Sequence, residues 1–143
     1  MIAPSRLHKG DTIGIVSPSD PILEETRPQL SKGINFLKSI GFKVVLGKNA
    51  LNIDGYSSAT PEEKAEDINS MFSNKEIRAI FCSTGGSIAN SCIPLLDWKA
   101  IRLNPKIFLG MSDITVLLNT IYMETSVVTF HGSNVLESRV DPT

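Results

Sequence analysis

Two rhythms of apolar residues run along this chain. One is short continuous runs rich in β-branched side chains; the other is longer stretches with a period of three or four. Thr12-Ile13-Gly14-Ile15-Val16-Ser17, closed by Pro18, is of the first kind and predicts a buried strand. Leu30, Ile34, Leu37 and Ile40 are of the second kind and predict an amphipathic helix. Thr26 and Gln29 stand at capping-box spacing, and Pro28 falls in the first turn, where its missing N–H costs little. Gly41 is placed to end that helix, and Phe42 to Leu46 predicts a second strand.

Residues 47–59 carry Gly, Asn, Asp and Ser without periodicity and read as a loop. Thr60-Pro61-Glu62-Glu63 is a helix start: a cap residue, proline at the first position, and acids against the helix dipole. Ala65, Ile68, Met71 and Phe72 would line its buried face. Ile77 to Cys82 predicts a third strand, ending at Ser83-Thr84-Gly85-Gly86. A short helix up to Pro94 and another from Asp97 to before Pro105 follow, since a proline steers the preceding residue out of helical geometry. Lys106 to Leu109 predicts a fourth strand, Ile114 to Glu124 a largely buried helix, and Val127 to Phe130 a fifth strand.

Strand and helix alternate throughout, and no two-residue hairpin turn joins two apolar runs. That predicts the α/β class: a parallel sheet flanked by helices on both faces, flavodoxin-like or like the N-terminal domain of class I glutamine amidotransferases. Residues 1–135 are expected to form this domain, and 136–143, ending on Asp141-Pro142-Thr143, the start of a linker to a C-terminal domain.

Composition narrows the function. Fourteen basic residues against fifteen acidic ones leave a formal charge of −1, without the basic stripe of a nucleic-acid binder. No apolar run approaches the ~18 residues of a membrane span. Met1-Ile2-Ala3-Pro4-Ser5-Arg6 lacks the basic start and apolar stretch of a signal peptide, so a cytoplasmic protein is expected. Cys82 and Cys92 are too few for a disulfide framework and too far apart for a redox or zinc pair. No metal and no cofactor is called for. Only two histidines are present, His8 and His131, so a local imidazole base has two candidates.

Three turns follow strands: Ser17-Pro18-Ser19-Asp20, Ser83-Thr84-Gly85-Gly86 and Gly110-Met111-Ser112-Asp113. Ligands of parallel sheets collect at the carboxyl ends of the strands, where all three should converge. Ser112, between a strand and a buried helix, fits a nucleophile elbow whose helix N-terminus would stabilise an oxyanion. The familiar elbow has a glycine two positions after the serine, where this chain has Ile114, and Ser112 reads equally as a helix N-cap. Gly85-Gly86 would let backbone N–H groups approach an anion or oxyanion, although no phosphate loop or dinucleotide fingerprint is present. Cys82 reads as a small apolar filler, His131 as a structural histidine, and His8 as a loop residue without a partner.

Several of these segments, in this order, resemble the LD-carboxypeptidases, a serine peptidase family that includes microcin C self-immunity hydrolases. They are Ser17-Pro18-Ser19, Gly85-Gly86 with Pro94-Leu95-Leu96-Asp97, Asn104-Pro105-Lys106-Ile107-Phe108-Leu109-Gly110-Met111-Ser112-Asp113-Ile114-Thr115, and Val128-Thr129-Phe130-His131-Gly132. The resemblance runs from about Lys9 to Gly132, and the long central stretch is the most specific part. It implies Ser112 as nucleophile, with an oxyanion hole from the backbone N–H groups of Asp113 and Gly86. Gly85 and Ser17 are expected to line the substrate site. The family's base is a histidine oriented by a glutamate, both in a C-terminal domain, so this chain would carry half a site. His131 matches a histidine outside that triad. Asn90-Ser91 after the glycine turn looks more like the microcin-immunity branch than the muropeptide branch. The implied partner is a small peptide or peptidyl-nucleotide substrate, with no nucleic acid or membrane, in a homodimer. The competing reading is a non-catalytic α/β module that binds a small anion or peptide on the same rim.

Overall fold

The computed structural model describes residues 1–138; the rest of the expected linker, 139–143, lies outside the described residues. Five strands form one sheet: β1 (Thr12–Val16), β2 (Lys43–Leu46), β3 (Ile77–Cys82), β4 (Ile107–Gly110) and β5 (Phe130–His131). Every neighbouring pair is parallel, in the order β2-β1-β3-β4-β5. This is the doubly wound α/β arrangement, and its topological switch point lies between β1 and β3.

Helices cover both faces. On one, α2 (Pro61–Ser73), α3 (Trp98–Leu103) and α4 (Thr115–Thr125) bury a core that includes Val16, Ile80, Phe108, Ile68, Phe72 and Leu117. Phe72 and Phe108 stack at 5.9 Å between ring centroids, a contact worth about 1 kcal/mol beyond the area it buries. On the other face α1 (Arg27–Ser39) sets Leu30 against Ile15, Ile22 and Val135. Successive strand residues point to opposite faces, so Ile15 and Val16 serve different cores.

Local chemistry explains where the sequence expectations hold and fail. Thr60 caps α2 as a full capping box: its hydroxyl accepts from the Glu63 N–H at 3.2 Å and the Glu63 carboxylate returns to the Thr60 N–H. At Thr26 the expected box is absent. Glu24–Thr26 is already a 3₁₀ turn, so Thr26 enters α1 in helical geometry and its hydroxyl turns back to the Leu23 carbonyl. The segment before Pro94 is 3₁₀ over Ala89–Leu95. The fifth strand is also shifted: Val127 makes only an isolated bridge to Ile2, and the ladder to β4 is formed by Phe130 and His131.

Residues past 135 remain part of the packed body as far as they are described. The Val135 and Leu136 N–H groups donate to the Cys82 and Ser83 carbonyls at 3.0 and 2.9 Å, extending the end of β3.

Candidate active site

The carboxyl ends of β1, β3 and β4 bring the three turns together. A Cβ built on Gly85 would lie 3.2 Å from the Ser112 Cβ, 3.3 Å from its Oγ and 3.6 Å from the Asp113 nitrogen. Gly85 is buried and its carbonyl accepts from the Asp20 N–H at 3.1 Å, which joins the β1 and β3 turns. Gly86 is exposed and has φ +149°, a region that favours glycine; a side chain there would run into Asp20 and the Ser19 hydroxyl. Among the described residues neither the Gly86 nor the Asp113 N–H donates to a protein acceptor.

Ser112 is the most unusual residue of the rim. It has φ +59°, one of two non-glycine residues in the left-handed region among those described, and it is exposed. The helix N-cap reading has no support in its contacts. The cap of the 3₁₀ turn Ser112–Ile114 is Met111 and that of α4 is Ile114, and neither makes a side-chain cap bond. Ser112 therefore sits on a left-handed strand-to-helix turn with its hydroxyl capping neither the 3₁₀ turn nor α4.

Around the elbow lies a scaffold of side chains that local sequence patterns do not disclose. The Asp113 carboxylate accepts from the Ser19 hydroxyl at 2.6 Å and from the Ala89 N–H at 2.8 Å, tying all three turns to one another. Asn134, almost fully buried, accepts from the Met111 N–H at 3.0 Å and donates to the Met111 carbonyl at 3.4 Å. Lys64 is buried in the first turns of α2. Its ammonium reaches the Ile88 carbonyl at 3.4 Å and the Ser91 hydroxyl at 3.3 Å, under the segment that follows Gly86. Burial pushes the Lys64 ammonium below the usual lysine range, with Cys92, Asp113, Asp20 and Asp54 opposing the shift.

The remaining candidates separate cleanly. Ser17 is buried, and its hydroxyl bonds the Ala50 carbonyl at 2.8 Å and the Ser83 hydroxyl at 2.7 Å. Those partners tie Ser17 into the loop scaffold at the end of β1. Cys82 and Cys92 are buried free thiols, pushed above the usual thiol range by desolvation and suited to packing rather than nucleophilic attack. His8 lies before β1, at the opposite end of the sheet, and its backbone N–H donates to Asp11 at 2.8 Å. His131 pairs in register with Gly110 on the edge strand, and no described imidazole hydrogen-bonds Ser112. Among the described residues there is no group of three His, Cys, Asp or Glu that could hold a metal, and no helix long and apolar enough to cross a membrane.

A family model for the LD-carboxypeptidase N-terminal domain matches residues 13–132. The chain is 41% identical over 129 residues to the microcin C7 self-immunity protein of Escherichia coli, covering 90% of this chain and 38% of the relative. It is 38% identical over 129 residues to a probable murein peptide carboxypeptidase of Bacillus subtilis, covering 90% of this chain and 40% of the relative. A solved microcin C7 self-immunity protein in complex with aspartyl sulfamoyl adenosine superposes with TM-score 0.95 at 38% identity, over 100% of this chain and 43% of its own. The chain thus spans about two fifths of the length of these relatives.

Proposed function

Because the chain belongs to the LD-carboxypeptidase family, we propose that its rim is the nucleophile half of a serine amide hydrolase, residues 1–135 being the nucleophile-bearing domain. The observation that carries this reading is Ser112 itself: an exposed hydroxyl on a left-handed, uncapped elbow, packed against Gly85. The Oγ attacks an amide carbonyl, and the N–H groups of Asp113 and Gly86 receive the charge that develops on its oxygen. A histidine oriented by a glutamate, both supplied by a C-terminal domain, takes the Ser112 proton and returns it to the leaving amine. Water then releases the acyl group from Ser112. Ser17 contributes through the loop it anchors, and Gly85 by leaving room for the substrate beside the nucleophile.

The substrate is a small amide with a terminal amino acid: a muropeptide or an aminoacyl-nucleotide carboxamide. The second fits the Asn90-Ser91 pair after the glycine turn, and a structural neighbour's complex with aspartyl sulfamoyl adenosine supports it. The same reading makes the whole protein a cytoplasmic homodimer, checked by fractionation and by light scattering of the full-length chain.

The test is hydrolysis of a murein tetrapeptide and of an aspartyl-nucleotide carboxamide by the full-length protein and its Ser112→Ala variant. Turnover of either, lost in the variant with the fold intact, supports the reading. Undiminished turnover in Ser112→Ala rejects it.

A further inference from the structure

We propose that Asn134 is a positioning residue for the nucleophile, holding Ser112 in its left-handed conformation by clamping the backbone of Met111 on both sides of its Cα; this rests on the proposed role of Ser112. Asn134 is 1% exposed and uses both ends of its amide on one residue, accepting from the Met111 N–H at 3.0 Å and donating to the Met111 carbonyl at 3.4 Å. That carbonyl also accepts from the Ile114 N–H at 3.2 Å. The plane of the peptide bond entering Ser112 is therefore fixed from two sides. Rotation about the next bond sets the φ of +59° and so the direction of the Ser112 side chain. A non-glycine residue stays in that region only where its surroundings over-determine it, and Asn134 supplies such a constraint.

The position of Asn134 along the chain gives the clamp a wider reach. It lies between a segment paired with β4, through the Gly132 N–H on the Gly110 carbonyl at 3.1 Å, and one paired with the end of β3, through Val135 and Leu136. The Glu137 carboxylate then accepts from the Thr84 hydroxyl at 2.6 Å, directly before Gly85. One strap of chain thus holds the elbow and the glycine turn in register with each other. Gly110 completes the fit, because a Cβ there would come within 3.0 Å of the Asn134 Oδ1.

The experiment compares full-length Asn134→Ala and Asn134→Asp with the parent and with Ser112→Ala. The readouts are kcat and KM on the hydrolysed substrate, the rate of Ser112 labelling by a fluorophosphonate, and melting temperature. Displacing a reacting group by about 1 Å costs on the order of a hundredfold, so kcat and labelling rate should fall together by roughly ten- to a hundredfold, with KM nearly unchanged. Asn134→Asp adds a signature that a merely structural role lacks. The carboxylate keeps the acceptor for Met111 N–H but cannot donate to its carbonyl, whereas the protonated acid can. The ratio of variant to parent kcat should therefore rise as pH falls. If Asn134→Ala does not fold, Asn134→Asp carries the same test. Parental kcat and labelling in a folded variant, or a change confined to KM, overturns the proposal while loss of activity in Ser112→Ala leaves the hydrolase reading standing. Retained activity in Ser112→Ala removes both.

Discussion

Gly85 and Ser112 stand so close that a single methyl group on the first would lie 3.2 Å from the Cβ and 3.3 Å from the Oγ of the second. Contacts that short require one partner to yield, and Gly85 is buried with its carbonyl committed to Asp20. The serine side chain is the freer of the two. Gly85→Ala should therefore turn or crowd the Ser112 hydroxyl and lower kcat by about tenfold or more, the scale expected for a misplaced nucleophile. Circular dichroism and melting should change little. Parental kcat in this variant would show that the approach of the two turns has no catalytic consequence.

The left-handed backbone at Ser112 gives a prediction of opposite sign for stability and activity. A side chain in that region costs roughly 1–2 kcal/mol, which glycine escapes at the price of a floppier unfolded chain. Since the Ser112 hydroxyl caps neither the 3₁₀ turn nor α4, its removal loses no helix cap. Ser112→Gly in the full-length protein should abolish turnover while raising the unfolding free energy by up to about 1 kcal/mol. A clear drop in the urea midpoint would mean that the hydroxyl supports the fold.

How far the sequence foretold these features depends on the range over which each is encoded. The four well-formed strands and the start of α2 follow from runs of a few adjacent residues, such as Ile77 to Cys82 or Thr60 to Glu63, and these read correctly. Ser112 and the glycine turn were legible because a strand, a small residue and a helix stand in a row. The residues that fix their geometry were not. Ser19 meets Asp113 across 94 positions, and Asn134 meets Met111 across 23, so nothing beside them in the chain announces the contact. At Thr26 the reason is local: the 3₁₀ turn Glu24–Thr26 holds it in helical geometry, without the extended backbone that a cap needs. The two partners of the Ser17 hydroxyl, Ala50 and Ser83, stand 33 and 66 positions away and are equally silent in the local sequence.

At Gly86 the predicted effect has two parts. The residue has φ +149°, and a side chain would collide with Asp20 and the Ser19 hydroxyl, the latter a ligand of the Asp113 carboxylate. A valine there would keep its N–H, but relief of that collision has to turn the backbone. Gly86→Val should thus misdirect one oxyanion donor, lower kcat by about 10² or more, and loosen the three-turn network as well. A measurable fall in melting temperature is expected alongside the loss of activity. Full activity with an unchanged melting curve would exclude Gly86 from the oxyanion hole.

Lys106 offers a test by pH, away from the site. Its ammonium is buried and donates to the Met71 carbonyl at 2.7 Å and to that of Asn74, at the end of α2. Burial, reinforced by repulsion from Arg78, pushes it down to about 8 from 10.5. Between those values the unfolded chain binds a proton that the folded chain has released. Stability therefore carries a positive contribution from this group as pH rises from about 8 to 10.5. Urea midpoints measured across that window should fall more steeply, or rise less, in Lys106→Met than in the parent. Parallel pH curves for the two proteins would show that Lys106 titrates as an ordinary surface lysine.

Residues 1–143 on their own should hydrolyse neither a murein tetrapeptide nor an aspartyl-nucleotide carboxamide at a useful rate. A serine hydroxyl is a weak nucleophile at neutral pH without an adjacent base. His8 is at the far end of the sheet, and His131 makes no hydrogen bond to Ser112. An oxyanion hole alone leaves about 10³ to 10⁴ over water in a complete enzyme that still binds its substrate, and residues 1–143 span about two fifths of the length of their relatives. Addition of the purified C-terminal part, if the two associate, should restore turnover. Robust hydrolysis by residues 1–143 that disappears in Ser112→Ala would place the base within this chain. His131, on the strand next to the elbow and in register with Gly110, would then be the residue to replace first.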